Sequence, residues 1–278
     1  RRQRQMCIRD RPNLNFTIGK QFVNFGGYEY YVNSIRVREF SEFNNLLTAY
    51  QAGISGNWQV SPDHELCFQI VNNRNGNDED IYPTGLPEGT AKAKIPFMYT
   101  VNWNSYYLDK ALQLRYATAV GQQTRKRYSY YFTCGNTYEK GPLLTYLDVM
   151  YTRQGIDQHG VVSRLPGTPH TAMNTEYLSI IGDVDYRVHP QWNVYVKGAY
   201  ETARVYKSNG DFRKGMYRRS WNAQSSVEFF PFKQLDLFVF VLYTYRGVIL
   251  EKAARRMGAI EPDTHRISLG LVYSIPVF

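Results

Sequence analysis

Lys20, Arg36 and Arg38 stand in one stretch with Glu29, Glu39 and Glu42, and Tyr28, Tyr30 and Tyr31 lie among them. Charged side chains like these, on a loop too long for a simple hairpin, are suited to sorting ions. Where an aqueous passage narrows, like charges on its wall admit the opposite charge and repel their own. Folded inward, Arg36 and Arg38 would face passing anions; otherwise they would pair with Glu39 and Glu42 on a rigid loop. Further along, Arg115, Arg187 and Lys197 fall at positions that would add a basic stripe to such a wall. Asp183, Asp185 and Glu201 share that face, and opposite charges on neighbouring strands pair readily. The expected anion-binding constriction is therefore Lys20, Arg36, Arg38, Arg115, Arg187 and Lys197.

Catalysis is not expected. His64, His159, His170, His189 and His265 lack metal-ligand spacing, and no Ser–His pair stands out. Gly26-Gly27 is not followed by the Lys-Ser/Thr of a phosphate-binding loop. Cys7, Cys67 and Cys134 form neither a disulfide framework nor a metal cluster. No cofactor or metal is expected. The basic run Arg125-Lys126-Arg127 sits at a link between strands, which favours a lipid headgroup over nucleic acid.

Positioning those charges takes long strands. From Tyr177 to Thr202 the residues Leu178, Ile180, Gly182, Val184, Tyr186 and Val188 alternate with Ser179, Ile181, Asp183, Asp185 and Arg187. After His189-Pro190-Gln191 the alternation restarts, with Trp192, Val194, Val196, Gly198 and Tyr200 on one face. A period of two means successive side chains on opposite faces of a strand. Each run is about 11 residues, against about 5–6 in a typical globular strand and about 9–11 in a strand that crosses a bilayer at a tilt. Tyr and Trp lie toward the ends of the apolar rows, where aromatic girdles belong.

The same pattern recurs along the chain and gives about 12 strands. Examples are Leu14–Ile18, Tyr50–Val60, Phe97–Trp103, Leu112–Thr118, Trp221–Phe229 and Ile267–Ile275. Tight turns fall near 61–63, 108–111, 139–142, 189–191 and 231–234. Longer links fall near 20–49, 72–96, 122–127, 154–174, 205–215 and 247–264. Short turns at one end and long loops at the other mark a transmembrane barrel, with turns on the periplasmic side and loops outside. A soluble sandwich has no reason to segregate its loops. Composition agrees: aromatics make up 15% of the 278 residues, with 24 Tyr against 4 Trp, while mean hydropathy is negative. Only one face of each strand has to be apolar. The fold class read from the sequence is an all-β, antiparallel transmembrane β-barrel, with inward rows that include Asn15, Thr17, Gln51, Ser55, Asn57, Gln113, Asn222 and Gln224.

Residues 1–11 differ in composition, holding five Arg and one Asp. They resemble a translated sequencing-adapter scar, so the expected organisation is a non-native leader over 1–11 and an N-terminally truncated barrel over 12–278. The terminal Phe278 is a feature of many outer-membrane barrels, although Pro276 interrupts its row.

Phe16-Thr-Ile-Gly-Lys20, then Phe25-Gly-Gly-Tyr-Glu-Tyr-Tyr31, then Ser41-Glu-Phe43 resemble the phosphate-selective porin O and P family of Gram-negative outer membranes. The strand and loop pattern of residues 12–278 is similar throughout. The resemblance implies a 16-stranded barrel, often trimeric, of which this chain would supply the C-terminal portion. It also implies a porin that passes small hydrophilic solutes by diffusion, with a preference for anions such as phosphate. The partners implied are outer-membrane lipids, those solutes and other copies in a homotrimer, with no nucleic acid. The alternative is a non-conducting barrel, its lumen plugged by loops, that serves as a surface receptor or scaffold.

Overall fold

The computed structural model describes residues 6–11, 13–31, 40–45, 49–73, 82, 84–91, 93, 94, 96–158, 160–165, 168, 170–232 and 237–273, with 6–11 by backbone alone. One antiparallel sheet organises them. Its strands are β1 (Met6–Arg11), β2 (Leu14–Phe22), β3 (Tyr50–Ser61), β4 (His64–Asn72), β5 (Phe97–Tyr107), β6 (Leu112–Thr124) and β7 (Arg127–Lys140), followed by β8 (Leu143–Ile156), β9 (Met173–His189), β10 (Trp192–Val205), β11 (Gly215–Phe229), β12 (Leu237–Leu250) and β13 (Thr264–Tyr273). Each pairs with its neighbour in sequence, in the order β1 to β13. Such an up-and-down order needs only local hairpins.

The sequence reading gave 12 of these 13 strands. The addition is β1, drawn from residues set apart on composition; it runs antiparallel to β2, with Met6 opposite Ile18 and Ile8 opposite Phe16. A second difference lies between β6 and β7. The link read as 122–127 is only the turn Arg125-Lys126, since β6 continues to Thr124 and β7 begins at Arg127. It is nonetheless at the long-loop end, beneath the preceding loop: the Arg125 amide donates to the Ala91 carbonyl at 3.0 Å.

The sheet is inside-out relative to a soluble protein. Gln51, Ser55, Gln69, Thr100 and Asn102 are buried, whereas Ile54, Trp58, Ile70, Tyr99 and Val101 on the opposite face are exposed. Exposed apolar rows on strand after strand are stable only against lipid, and the polar rows then face a lumen. Aromatic pairs bracket the apolar band. Trp192 meets Phe229 at 4.7 Å near the short turns, and Tyr200 meets Trp221 at 5.7 Å toward the long loops. Trp192 to Tyr200 rises about 26 Å along the strand, or about 20 Å along the membrane normal at a tilt of roughly 40°. That separation suits the apolar thickness of an outer-membrane barrel.

The apolar core is not between two layers of structure. It is where the chain between β2 and β3 folds against the inner wall: Val23, Phe25 and Phe43 pack with Tyr131, Tyr146, Met150 and Ile181.

Candidate functional site

The site is the described part of this inner segment, residues 23–31, 40–45 and 49, and the wall that holds it. The Val23 amide closes its neck by donating to the Ala49 carbonyl at 2.8 Å. Gly26 follows with φ +114, a turn that only glycine makes without strain. Gly27 then lies flat on the wall; a Cβ there would collide with the Asp148 carboxyl. Gly135 on β7 has the same role from the other side, since its Cβ would come within 2.7 Å of the Gly27 Cα. The close approach lets Asp148, on β8, accept the Tyr28 amide at 3.0 Å and the Glu29 amide at 2.9 Å. These are the opening N–H groups of a single helical turn, α1 (Tyr28–Tyr31), and a carboxylate there satisfies donors that the helix leaves open.

From α1 the tethers fan out across the barrel. Glu29 takes the Lys197 ammonium of β10 at 2.8 Å, with both side chains buried. It also accepts the Ser41 amide at 2.6 Å. Glu201, four residues further along β10 on the same face, accepts the Glu42 amide at 2.8 Å and the Ser179 hydroxyl at 2.9 Å. The Glu42 carboxylate binds Arg218 of β11 at 2.5 Å and also Arg246 of β12. Both arginines reach Glu261, in the loop after β12, at 2.7 and 3.4 Å. On the far side the Asn24 amide donates to Gln69 of β4 at 2.5 Å. Phe25 stacks on Phe43 at 6.1 Å and meets Tyr131 edge-on at 5.6 Å, so the segment has a small core of its own. Burial pushes the Tyr30 and Tyr31 phenols up, which keeps both neutral; Tyr31 donates to Asn24 Oδ1 at 2.5 Å. Lys197 sits between Trp192 and Tyr200 on β10, so the segment crosses the lumen at mid-membrane depth.

The residues expected at a constriction divide. Arg115 and Lys197 meet the segment. The Arg115 guanidinium lies 4.1 Å over the Tyr31 ring, with Nε donating to Asn104 at 3.2 Å. Lys197 is spent on Glu29. Arg187 faces inward but lies at the short-turn end, 3.7 Å over the Phe230 ring. Lys20 is on the other side of the wall: β2 runs on to Phe22, and Lys20 is in phase with the exposed Phe16 and Ile18. Arg36 and Arg38 lie outside the described residues. Glu42, weighed as their partner, is engaged by Arg218 and Arg246.

Asp148, Arg218 and Arg246 escaped the sequence reading. Arg218 continues the inward row Ser220, Asn222, Gln224, but a bulge opposite Ala203 and Arg204 shifts the register there. Arg246 closes a strand that is apolar on both faces, which obscured its phase. Asp185 accepts the Asn193 side-chain amide at 2.7 Å.

Comparison with known proteins places this architecture. The outer-membrane channel DcaP of Acinetobacter baumannii superposes with a TM-score of 0.62 at 13% identity, over 94% of this chain and 71% of that one. A loop L8 deletion mutant of OmpT, an outer membrane protein of Vibrio cholerae, gives 0.58 at 12% identity, over 98% and 79%. OccK7 (OpdD) of Pseudomonas aeruginosa gives 0.53 at 10%, over 99% and 67%. At such identities the likeness is one of fold. No curated protein matches the chain significantly. A family model described as phosphate-selective porin O and P matches residues 8–275. The chain belongs to the phosphate-selective porin O and P family, and its place is the outer membrane.

Proposed function

We propose that this porin passes small hydrophilic solutes by diffusion, prefers anions such as phosphate modestly, and works as a homotrimer in outer-membrane lipid. The observation that carries the reading is the inner segment, held across the lumen at mid-depth by charged side chains from β8, β10, β11 and β12. A rigid constriction lined by fixed charge is what selects among hydrated ions. Its acidic groups Glu29 and Glu42 are neutralised by Lys197, Arg218 and Arg246. Arg246 keeps a third of its side-chain surface open, and Arg115 is half-buried beside Tyr31. These two, with Arg36 and Arg38 of the same segment, are the guanidiniums we assign to passing anions. For assembly, the support is that OmpT of V. cholerae, folded in vitro, has been solved in a trimer form.

Single-channel recording in planar bilayers tests this. The expected result is ohmic conductance with an anion-favouring reversal potential, shifted toward cations in Arg246→Ala and in Arg36→Ala/Arg38→Ala. Absence of conductance would favour the receptor or scaffold. A cation preference untouched by these substitutions would remove anion selectivity while leaving the porin.

A further inference from the structure

The outer wall carries a second set of charges that the lumen does not use. Reading up β10 toward the long loops, the outward row runs Val196, Gly198, Tyr200, Thr202, Arg204; on β11 it runs Ala223, Trp221, Arg219. The arginines therefore begin one or two outward positions past the Tyr200–Trp221 pair, where lipid tails give way to headgroups. Arg153 on β8 is at the same level, two residues beyond Tyr151 on the exposed face. Arg153, Arg204 and Arg219 keep 48%, 46% and 43% of their side-chain surface open. Glu176 is shared between the first two, at 3.7 and 3.0 Å, so that group retains a net positive charge. Arg219 binds Glu251 at 2.9 Å, and Glu251 precedes the short helix α2 (Lys252–Arg256).

Beyond Glu251 the row opens into a cleft of about 820 Å³ between α2 and the turn at 208–215. Arg213, Lys214, Lys252 and Arg256 line it against Asp211 and Glu251, with Met216 and Met257 as its apolar floor. All four basic side chains are exposed. We propose that this cleft and the arginines below it bind the phosphate groups of a phosphorylated glycolipid in the outer leaflet. Charge complementarity gives the chemistry, because each Lys or Arg near an anionic lipid surface contributes favourably. Position names the occupant: the patch continues the lipid-facing wall past the aromatic girdle, on a face that a solute crossing the lumen does not meet. An acyl chain below the headgroup would lie along Val196, Ala223 and Trp221.

Native mass spectrometry of the purified protein in detergent tests the assignment, with four probes: bisphosphorylated lipid A, the same glycolipid stripped of both phosphates, phosphatidylethanolamine and inorganic phosphate. The wild type should retain lipid A about tenfold more than the stripped form or phosphatidylethanolamine. That comparison needs no variant. Arg213→Ala/Lys252→Ala/Arg256→Ala should abolish most of the difference while heat-modifiable gel migration stays normal. Equal retention of lipid A with and without phosphates, or an unchanged preference in a folded triple variant, would overturn the proposal. Displacement of lipid A by an equal concentration of inorganic phosphate would overturn it too, by assigning the cleft to a free anion.

Discussion

A methyl group at Gly27 would fall on the carboxyl of Asp148, and Asp148 cannot retreat without giving up the Tyr28 and Glu29 amides. Overpacking of this kind costs about 1–3 kcal/mol. It falls on the segment's attachment rather than on the wall ladders. Gly27→Ala should therefore leave the heat-modifiable gel shift intact while raising single-channel conductance and its noise. Unchanged conductance would mean the glycine contact does not hold the segment. Lys197→Ala acts at the same attachment by leaving Glu29 as a buried, uncompensated carboxylate. Breaking a buried pair from one side costs about 3–5 kcal/mol, of which water admitted to the lumen recovers a part. Glu29→Gln added to Lys197→Ala should restore much of the loss in denaturant midpoint, and a double-mutant cycle measures the coupling. None of this was legible from residue types alone. Lys197 was placed on the lumen side by its phase on β10, but its partner lies 168 positions away, and no local spacing reports a contact of that range.

The strands were legible because lipid dictates one of their faces. Along β9 and β10 each outward position must be apolar or aromatic and each inward one is free to be polar, so a period of two persists for as long as the strand is in the membrane. Where strands leave the apolar band the constraint lapses, and there the reading failed. Gln122, Gln123 and Thr124 looked like a link but continue β6, and Gly19-Lys20 looked like a strand end but continue into Phe22. The inner segment was recognisable as functional by its length, and Glu29 and Glu42 were seen in it. Its shape was not, because it is set by β4, β8, β10, β11 and β12 together. As an element it is separable from the wall: its neck is closed by the Val23–Ala49 bond. Replacing residues 24–48 by a short Gly/Ser linker should preserve insertion and raise conductance several-fold. A linker variant with wild-type conductance would remove the segment from the permeation path.

At the scale of the molecule, two kinds of contact are unequal in range. Among the described residues every wall ladder joins strands adjacent in sequence, so this sheet can zip hairpin by hairpin. The segment's tethers instead span 119 residues to Asp148, 176 to Arg218 and 204 to Arg246. Closing such long intervals is slow, because loop entropy opposes it before any contact rewards it. Arg218 and Arg246 are also brought side by side only when β11 and β12 have paired, so the Glu42 anchor does not exist earlier. Refolding into detergent should accordingly show two kinetic steps. The heat-modifiable band should appear first, and protection of amides in 23–31 from hydrogen exchange should follow with a slower rate. Simultaneous appearance of both would refute this order. On that order a newly inserted copy should for a time be an unguarded hole: a wall in place before its constriction has swung across it.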